Sequence, residues 1–188
     1  MDNNAIYMSD HTLKEIKIWF EWFRAERKSK GIVHDIDLFA VAVNKNDKIS
    51  RETDLVFYGN SSDPAHILYL NDDHDCWHET EDDSINVNLK NATIDIHRII
   101  IMASIHDADV RRQNFSQLTS LYMYNNIEIK SNRPFEIQPF EFVDLPPTPL
   151  IVLCEIIRTN NGWLFVPTGT GLPGGIIQFL TEHGLDLG

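Results

Sequence analysis

Residues 71–83, NDDHDCWHETEDD, carry seven carboxylates and no Lys or Arg to balance them. A close pair of like charges costs on the order of a few kcal/mol at a typical protein surface, so such a run is held either by water or by a cation. Blocks of like charge are ordinarily solvated faces. The cation these residue types suit is a hard one, since Ca2+ takes about six to eight oxygen ligands from carboxylates, amides, carbonyls and water in irregular geometry. Two further elements bear on the choice. Asp35 and Asp37 in HDIDLFAVAV stand at the entry of an apolar segment, where strand alternation puts both side chains on one face. Asn60 closes LVFYGN at the end of another. If the fold gathers these stretches, acids and amide oxygens from three loops converge at one edge.

The acidic run is not an EF-hand. Counting from Asp73, Asp75 fits the third position, but Trp77 takes the fifth, His78 stands where glycine is required, and Ser84 replaces the closing glutamate. A softer reading uses His74, Cys76 and His78, which alternate and offer nitrogen and sulfur donors suited to zinc. Three donors on one extended segment do not close a tetrahedral site by themselves. His106 and Asp107 in SIHDAD have the form of a base and its orienting carboxylate, and with Asp35 and the acidic cluster they suggest a metal-dependent hydrolase. No G-x-S-x-G nucleophile setting accompanies them, and a structural role for His106 at a strand end is the plainer reading. GTGLPG, 169–174, matches a dinucleotide fingerprint literally, but only 14 residues follow it. That leaves no room for the second strand and its ribose-binding acid, so these glycines read as a tight turn that lets a helix pack.

The elements that must position these groups are short segments rich in Ile, Val, Phe and Tyr. They are IKIWF (16–20), LFAVAV (38–43), LVFY (55–58), INVNL (85–89), RIIIMASI (98–105), SLYMY (120–124), LIVLCEII (150–157) and WLFVP (163–167). Many short strands with few helical stretches between them predict an all-β, antiparallel β-sandwich in one domain over residues 1–188. INVNL alternates like a strand with one wet face, whereas RIIIMASI is apolar almost throughout and belongs at the centre of its sheet. NKNDK (44–48), YNN (124–126) and TNNG (159–162) supply hairpin residues, and DLPPTP (144–149) marks a stiff loop. Helical patterns occur weakly in TLKEIK near residue 12 and more clearly in IIQFLTEH (176–183), which ends before Gly184. A single short C-terminal helix is therefore expected.

The chain has 188 residues, 43% of them apolar, enough to fill a core. Its formal charge of −12 argues against a nucleic-acid partner, which needs a clustered basic face. The N-terminal residues show neither a basic leader nor a cleavage site, and no stretch is long enough to span a bilayer. A cytoplasmic protein without direct membrane insertion is expected. Cys76 and Cys154 make no disulfide framework in a domain of this size, and both are expected as reduced thiols.

Several of these stretches resemble one family. DIDLFAVAVNKNDKISRETDLVFYGN is similar to the DLDA strand, turn and DFVFYNN stretch of the TerD family of tellurite-resistance and stress proteins. SINVNL and RIIIMASIHDADVRRQNFSQL resemble its IxVxL strand and IHDA...R.QNFGQ segment, and EIIRTNNGWLFVPTGTGLPGG its closing YRHNGEWKF...GQGY.GG. The resemblance spans roughly residues 12 to 188. It implies a non-catalytic β-sandwich that binds calcium through acidic loops at one edge and acts in resistance to tellurite and other chemical stress. It further implies work with other stress-response proteins and a membrane-protein partner at the cytoplasmic face. By position, Asp35 and Asp37 match the DLD acids, and Asn60 the last Asn of FYNN. Asp72 and Asp73 fall on the family's GDN element, Glu79 on a glutamate of its glycine-rich loop, and Glu81, Asp82 and Asp83 on GDDE. The loop departs from the pattern, with Cys76, Trp77 and His78 standing where glycines are common, and bulky residues restrict the positive-φ conformations that glycine allows. The N-terminal elements are replaced by IYMSDHTLK and IWFEWFR, which changes a partner surface and adds aromatics to it.

Overall fold

A computed structural model describes residues 5–9, 15–24, 34–71, 83–127 and 139–185. Two antiparallel sheets pack face to face. The first runs β1 (Ile6–Ser9), β11 (Gly162–Leu172), β10 (Leu150–Thr159), β7 (Ile96–Ile105), β3 (Ile36–Asn44) and β4 (Leu55–Val56). The second runs β5 (Leu68–Asn71), β6 (Ser84–Val87), β2 (Ile16–Arg24), β8 (Leu118–Asn125) and β9 (Phe140–Phe142). The strand at each of the four sheet edges is four residues or fewer, which leaves little unpaired backbone to template aggregation.

Period-two alternation decides which side chains meet. Ile36, Leu38, Ala40 and Ala42 of β3 and Ile99, Ile101, Ala103 and Ile105 of β7 face Ile18, Phe20, Leu68, Leu70, Ile85 and Leu121 across the interior. The opposite side of the first sheet is also dry. Phe39, Val41, Val43, Ile100, Met102, Leu150 and Val152 pack there against Phe179, Leu180 and Leu185 at the C-terminal helix α2 (Gly175–Glu182). A strand covered on both faces reads as an unbroken apolar run, and this is why RIIIMASI forms the interior strand β7. Ile49 N–H donates to His183 O, and Lys48 Nζ to Glu182 O, tying the helix to the turn after β3.

The structure bears out the all-β sandwich and its short C-terminal helix, with differences in detail. The strand expected of IKIWF is β2, which begins at Ile16; alternation of Ile16, Ile18 and Phe20 into the core outweighs the weak helical pattern of TLKEIK. Residues 11–14 lie outside the described residues. LVFY contributes only Leu55–Val56 to a strand, because Phe57 and Asn60 close a tight turn by exchanging backbone hydrogen bonds. GTGLPG is not the tight turn expected. Gly169 and Gly171 belong to β11, Gly169 at φ +65° beside a β-bulge where register shifts between Val152 and Cys154. The turn into α2 is made by Pro173 and Gly174. TNNG does form its hairpin, with Thr159 opposite Gly162. Gly162, at φ +149°, lies so close to Met8 O of β1 that no β-carbon fits between them. Cys154 is buried and free, and Cys76 lies outside the described residues.

Candidate metal-binding edge

The start of β3 and the end of β7 lie side by side, Ile36 opposite Ile105 and Asp37 opposite Ser104. Asp35 O accepts the N–H of His106, closing the ladder at this end. Asp37 sits in phase with Phe39, on the face of the sheet away from the sandwich interior, and its carboxylate meets a ring that sequence spacing alone had not paired with it. His106 Nδ1 is 3.6 Å from Asp37 Oδ2, and Nε2 is 3.6 Å from Asp107 Oδ2. Both distances are ion-pair range rather than direct hydrogen bonds. One turn further on, the short helix α1 (Ala108–Arg111) carries Arg111, whose Nη1 lies 3.5 Å from Asp35 Oδ2. The edge therefore sets Asp35 against the Arg111 guanidinium, and Asp37 and Asp107 against the two nitrogens of the His106 ring.

The registers fix at which end of the sandwich β5 stops and β6 begins. Phe115 N–H donates to Thr148 O and Ile105 N–H to Pro149 O, so the start of β8 lies at the same end as Asp35. Leu118 of β8 stands opposite Arg24, and Ser84 opposite Trp19, whereas Val87 pairs with Ile16 farther down. Asn71 pairs with Ser84. The end of β5 and the start of β6 thus lie toward the end of the sandwich that holds Asp35 and Asp37. Asp83 stands at the root of that connection. Asp72, Asp73, Glu79, Glu81 and Asp82 lie outside the described residues, as do His74, Cys76 and His78 of the zinc reading.

Asn60 sits between the two features. The ring of Phe57 stacks on Phe39, two residues beyond Asp37, while Ser61 O accepts the N–H of Leu70, next to Asn71. Asn60 Nδ2 donates to Leu55 O (2.7 Å) and Thr53 O (3.3 Å). A planar amide whose nitrogen is turned into the turn presents its oxygen the other way. Asp63, which the sequence reading passed over, is a structural acid: it is 2% exposed, and its carboxylate accepts backbone N–H groups of Ala65 and Leu68 to shape the approach to β5. Its signal in the sequence is the SSDP turn chemistry.

Asp35, Asp37 and Asn60 offer hard oxygens of the kind calcium takes, beside the ring nitrogens of His106. Among the described residues no three His, Cys, Asp or Glu side chains lie close enough to hold a metal by themselves. A cleft of about 200 Å3, lined by Arg98, Glu155, Thr168, Thr170, Phe179 and His183 among others, lies beside α2 and toward the other end of β7. It shares no residue with the acidic edge. No helix among the described residues is long and apolar enough to cross a membrane.

Comparison with known proteins agrees with this architecture. The chain is 24% identical over 186 residues to the tellurium resistance protein TerD of Serratia marcescens, covering 98% of this chain and 94% of that one. It is 28% identical over 141 residues to chemical-damaging agent resistance protein B of Clostridium acetobutylicum, covering 74% and 99%. The crystal structure of a homologue of the telluride resistance protein from Streptomyces coelicolor A3(2) superposes with a TM-score of 0.66 over 92% of this chain and 98% of that one, at 16% identity. The TerD domain pattern matches residues 2–183. With a match across nearly its whole length, the chain belongs to the TerD domain family.

Proposed function

We propose that this protein is a non-catalytic calcium-binding member of its family, acting in the cytoplasm in resistance to tellurium or other chemical stress. Bound calcium organises the acidic edge for association with other stress-response proteins, among them a membrane-protein partner. The observation that supports the reading is a shared end of the sandwich: Asp35 and Asp37 stand toward the end at which β5 stops and β6 begins, with Asn60 on the turn between β4 and β5. Asp35, Asp37 and the Asn60 oxygen would supply one side of the ion's shell. Asp72, Asp73, Glu79, Glu81, Asp82 and Asp83 would supply the other.

The test is a thermal melt in millimolar calcium against EDTA. Binding to the folded state alone adds about 2.7 kcal/mol at a hundred times Kd, which for a chain of this size raises the midpoint by about 5–10 °C. The Asp35→Asn, Asp37→Asn double variant should lose that rise. An unchanged midpoint in the parent protein, or a rise that survives in the double variant, defeats the reading.

One observation favours a second reading. His106 lies between Asp37 and Asp107, the setting of a general base in a metal-dependent hydrolase. Phosphatase or esterase turnover that requires a divalent metal and disappears in His106→Ala would establish it.

A further inference from the structure

The outer faces of the two sheets differ. That of the first is covered by α2. That of the second carries Trp19, Tyr122 and Tyr124, none of which belongs to either hydrophobic cluster. Trp19 and Tyr124 are cross-strand partners whose rings stack at 5.5 Å and 8°. One row along, Glu21 of β2, Tyr122 of β8 and Glu141 of β9 stand side by side in register. Backbone spacing puts the Cα atoms of the two glutamates about 10 Å apart, with the tyrosine strand between them.

The hydrogen bonds aim these acids. Tyr122 Oη donates to Glu141 Oε1 (2.8 Å) and Tyr124 Oη to Glu21 Oε2 (2.9 Å). The bond to Glu141 is the chief cause that raises Tyr122 above the ordinary tyrosine range, so this phenol stays protonated and keeps donating. Each carboxylate is thus held in place by one oxygen while retaining acceptor capacity. The face already engages one cation of its own chain: Lys17 Nζ lies 5.6 Å from the Trp19 ring centroid.

We propose that this face is a docking surface for an arginine- or lysine-bearing segment of a partner protein. Charge complementarity selects that occupant. A guanidinium or ammonium group is attracted to aromatic faces and forms charge-assisted bonds to carboxylates, and arginine does both with one planar group. Phosphate-bearing surfaces, whether nucleic acid or anionic lipid, meet two carboxylates on a chain of charge −12 and are repelled. The sequence IWFEWFR, which departs from the family pattern, supplies Trp19 and Glu21. This inference concerns a surface separate from the acidic edge and does not depend on calcium.

The experiment uses the full chain in EDTA, so that the calcium reading does not enter. A short capped peptide alternating arginine and threonine is titrated while the indole N–H resonance of Trp19, assigned with Trp19→Phe, is followed by NMR. The same peptide with glutamate for arginine and a neutral oligosaccharide serve as comparisons. Expected are saturable shifts of the Trp19 resonance with the basic peptide alone, weakening as salt rises. Affinity should fall roughly tenfold or more in the Glu21→Gln, Glu141→Gln double variant. Glutamine retains an acceptor for each tyrosine hydroxyl, and an unchanged melting midpoint shows that the fold is intact. Should the double variant melt early, each single variant is titrated instead, and each should weaken binding. No shift at Trp19, equal affinity in the glutamine variants, or tighter binding of the acidic peptide or the oligosaccharide overturns the proposal.

Discussion

Replacing Arg111 by glutamine separates an acid that serves calcium from one that serves the fold. The Arg111–Asp35 contact is 3.5 Å, with the side chains 37% and 55% exposed. Exposed pairs of this kind contribute under about 1 kcal/mol, so the variant should be close to the parent in stability without calcium. With calcium the balance changes. An ion bound to Asp35 Oδ2 at about 2.4 Å would lie no more than about 6 Å from the guanidinium nitrogen. Repulsion between a divalent and a monovalent cation at that distance is about 1.4 kcal/mol in water. A screening length of about 8 Å in physiological salt roughly halves it. Arg111→Gln is therefore expected to tighten calcium binding by about three- to tenfold, measured by isothermal titration calorimetry in low and physiological salt, with the larger gain at low salt. Affinity that stays the same or falls would mean that Asp35 does not ligate the ion, and the edge would then be a structural ion-pair network.

Two other predictions concern the framework. Arg158 donates to Ile96 O (2.7 Å), Ala92 O (3.1 Å) and Thr93 O (2.7 Å), and its guanidinium lies 4.2 Å from the Trp163 ring centroid; Arg158→Met should destabilise by about 2–4 kcal/mol in urea denaturation, and a loss below about 0.5 kcal/mol would show that the freed carbonyls are satisfied by water. Burial pushes the Cys154 thiol up from 9.0, so the folded state favours the protonated form; its contribution is complete at neutral pH and is lost as pH rises above about 9. A native-state thiol reagent should therefore label Cys154 only at the rate of unfolding, and rapid labelling at neutral pH would contradict its burial.

Strands that cross the middle of a sheet were legible because apolar residues recur at every position or every second one, as in RIIIMASI and LFAVAV. The edge strands β1, β5 and β9 were not identified. Segments of three or four residues hold too few repeats for a period to emerge, and LYLN shows its alternation only beside its partner SINV. TLKEIKIWF contains both periods, and the interior contacts of Ile16, Ile18 and Phe20 decide between them. At the candidate site, the type and spacing of Asp35 and Asp37 were readable, and so was their shared face. Their basic partners were not, because the approach of His106 to Asp37 is set by the β3–β7 register and that of Arg111 to Asp35 by the helix that follows. Neither relation exists in linear spacing.

The strand that ends at Ile105 is dry on both sides from Ile99 onward. Its amides are enclosed by neighbouring strands in the plane, by the sandwich interior beneath and by helix-facing side chains above, so they open only when the whole molecule does. In hydrogen exchange they should be the last to take up deuterium. The ladder partner of its final residues is the stretch that carries Asp37, with Asp35 just before it, so the backbone beneath these two acids is anchored to the slowest-opening part of the protein and keeps its geometry while the surrounding loops fray.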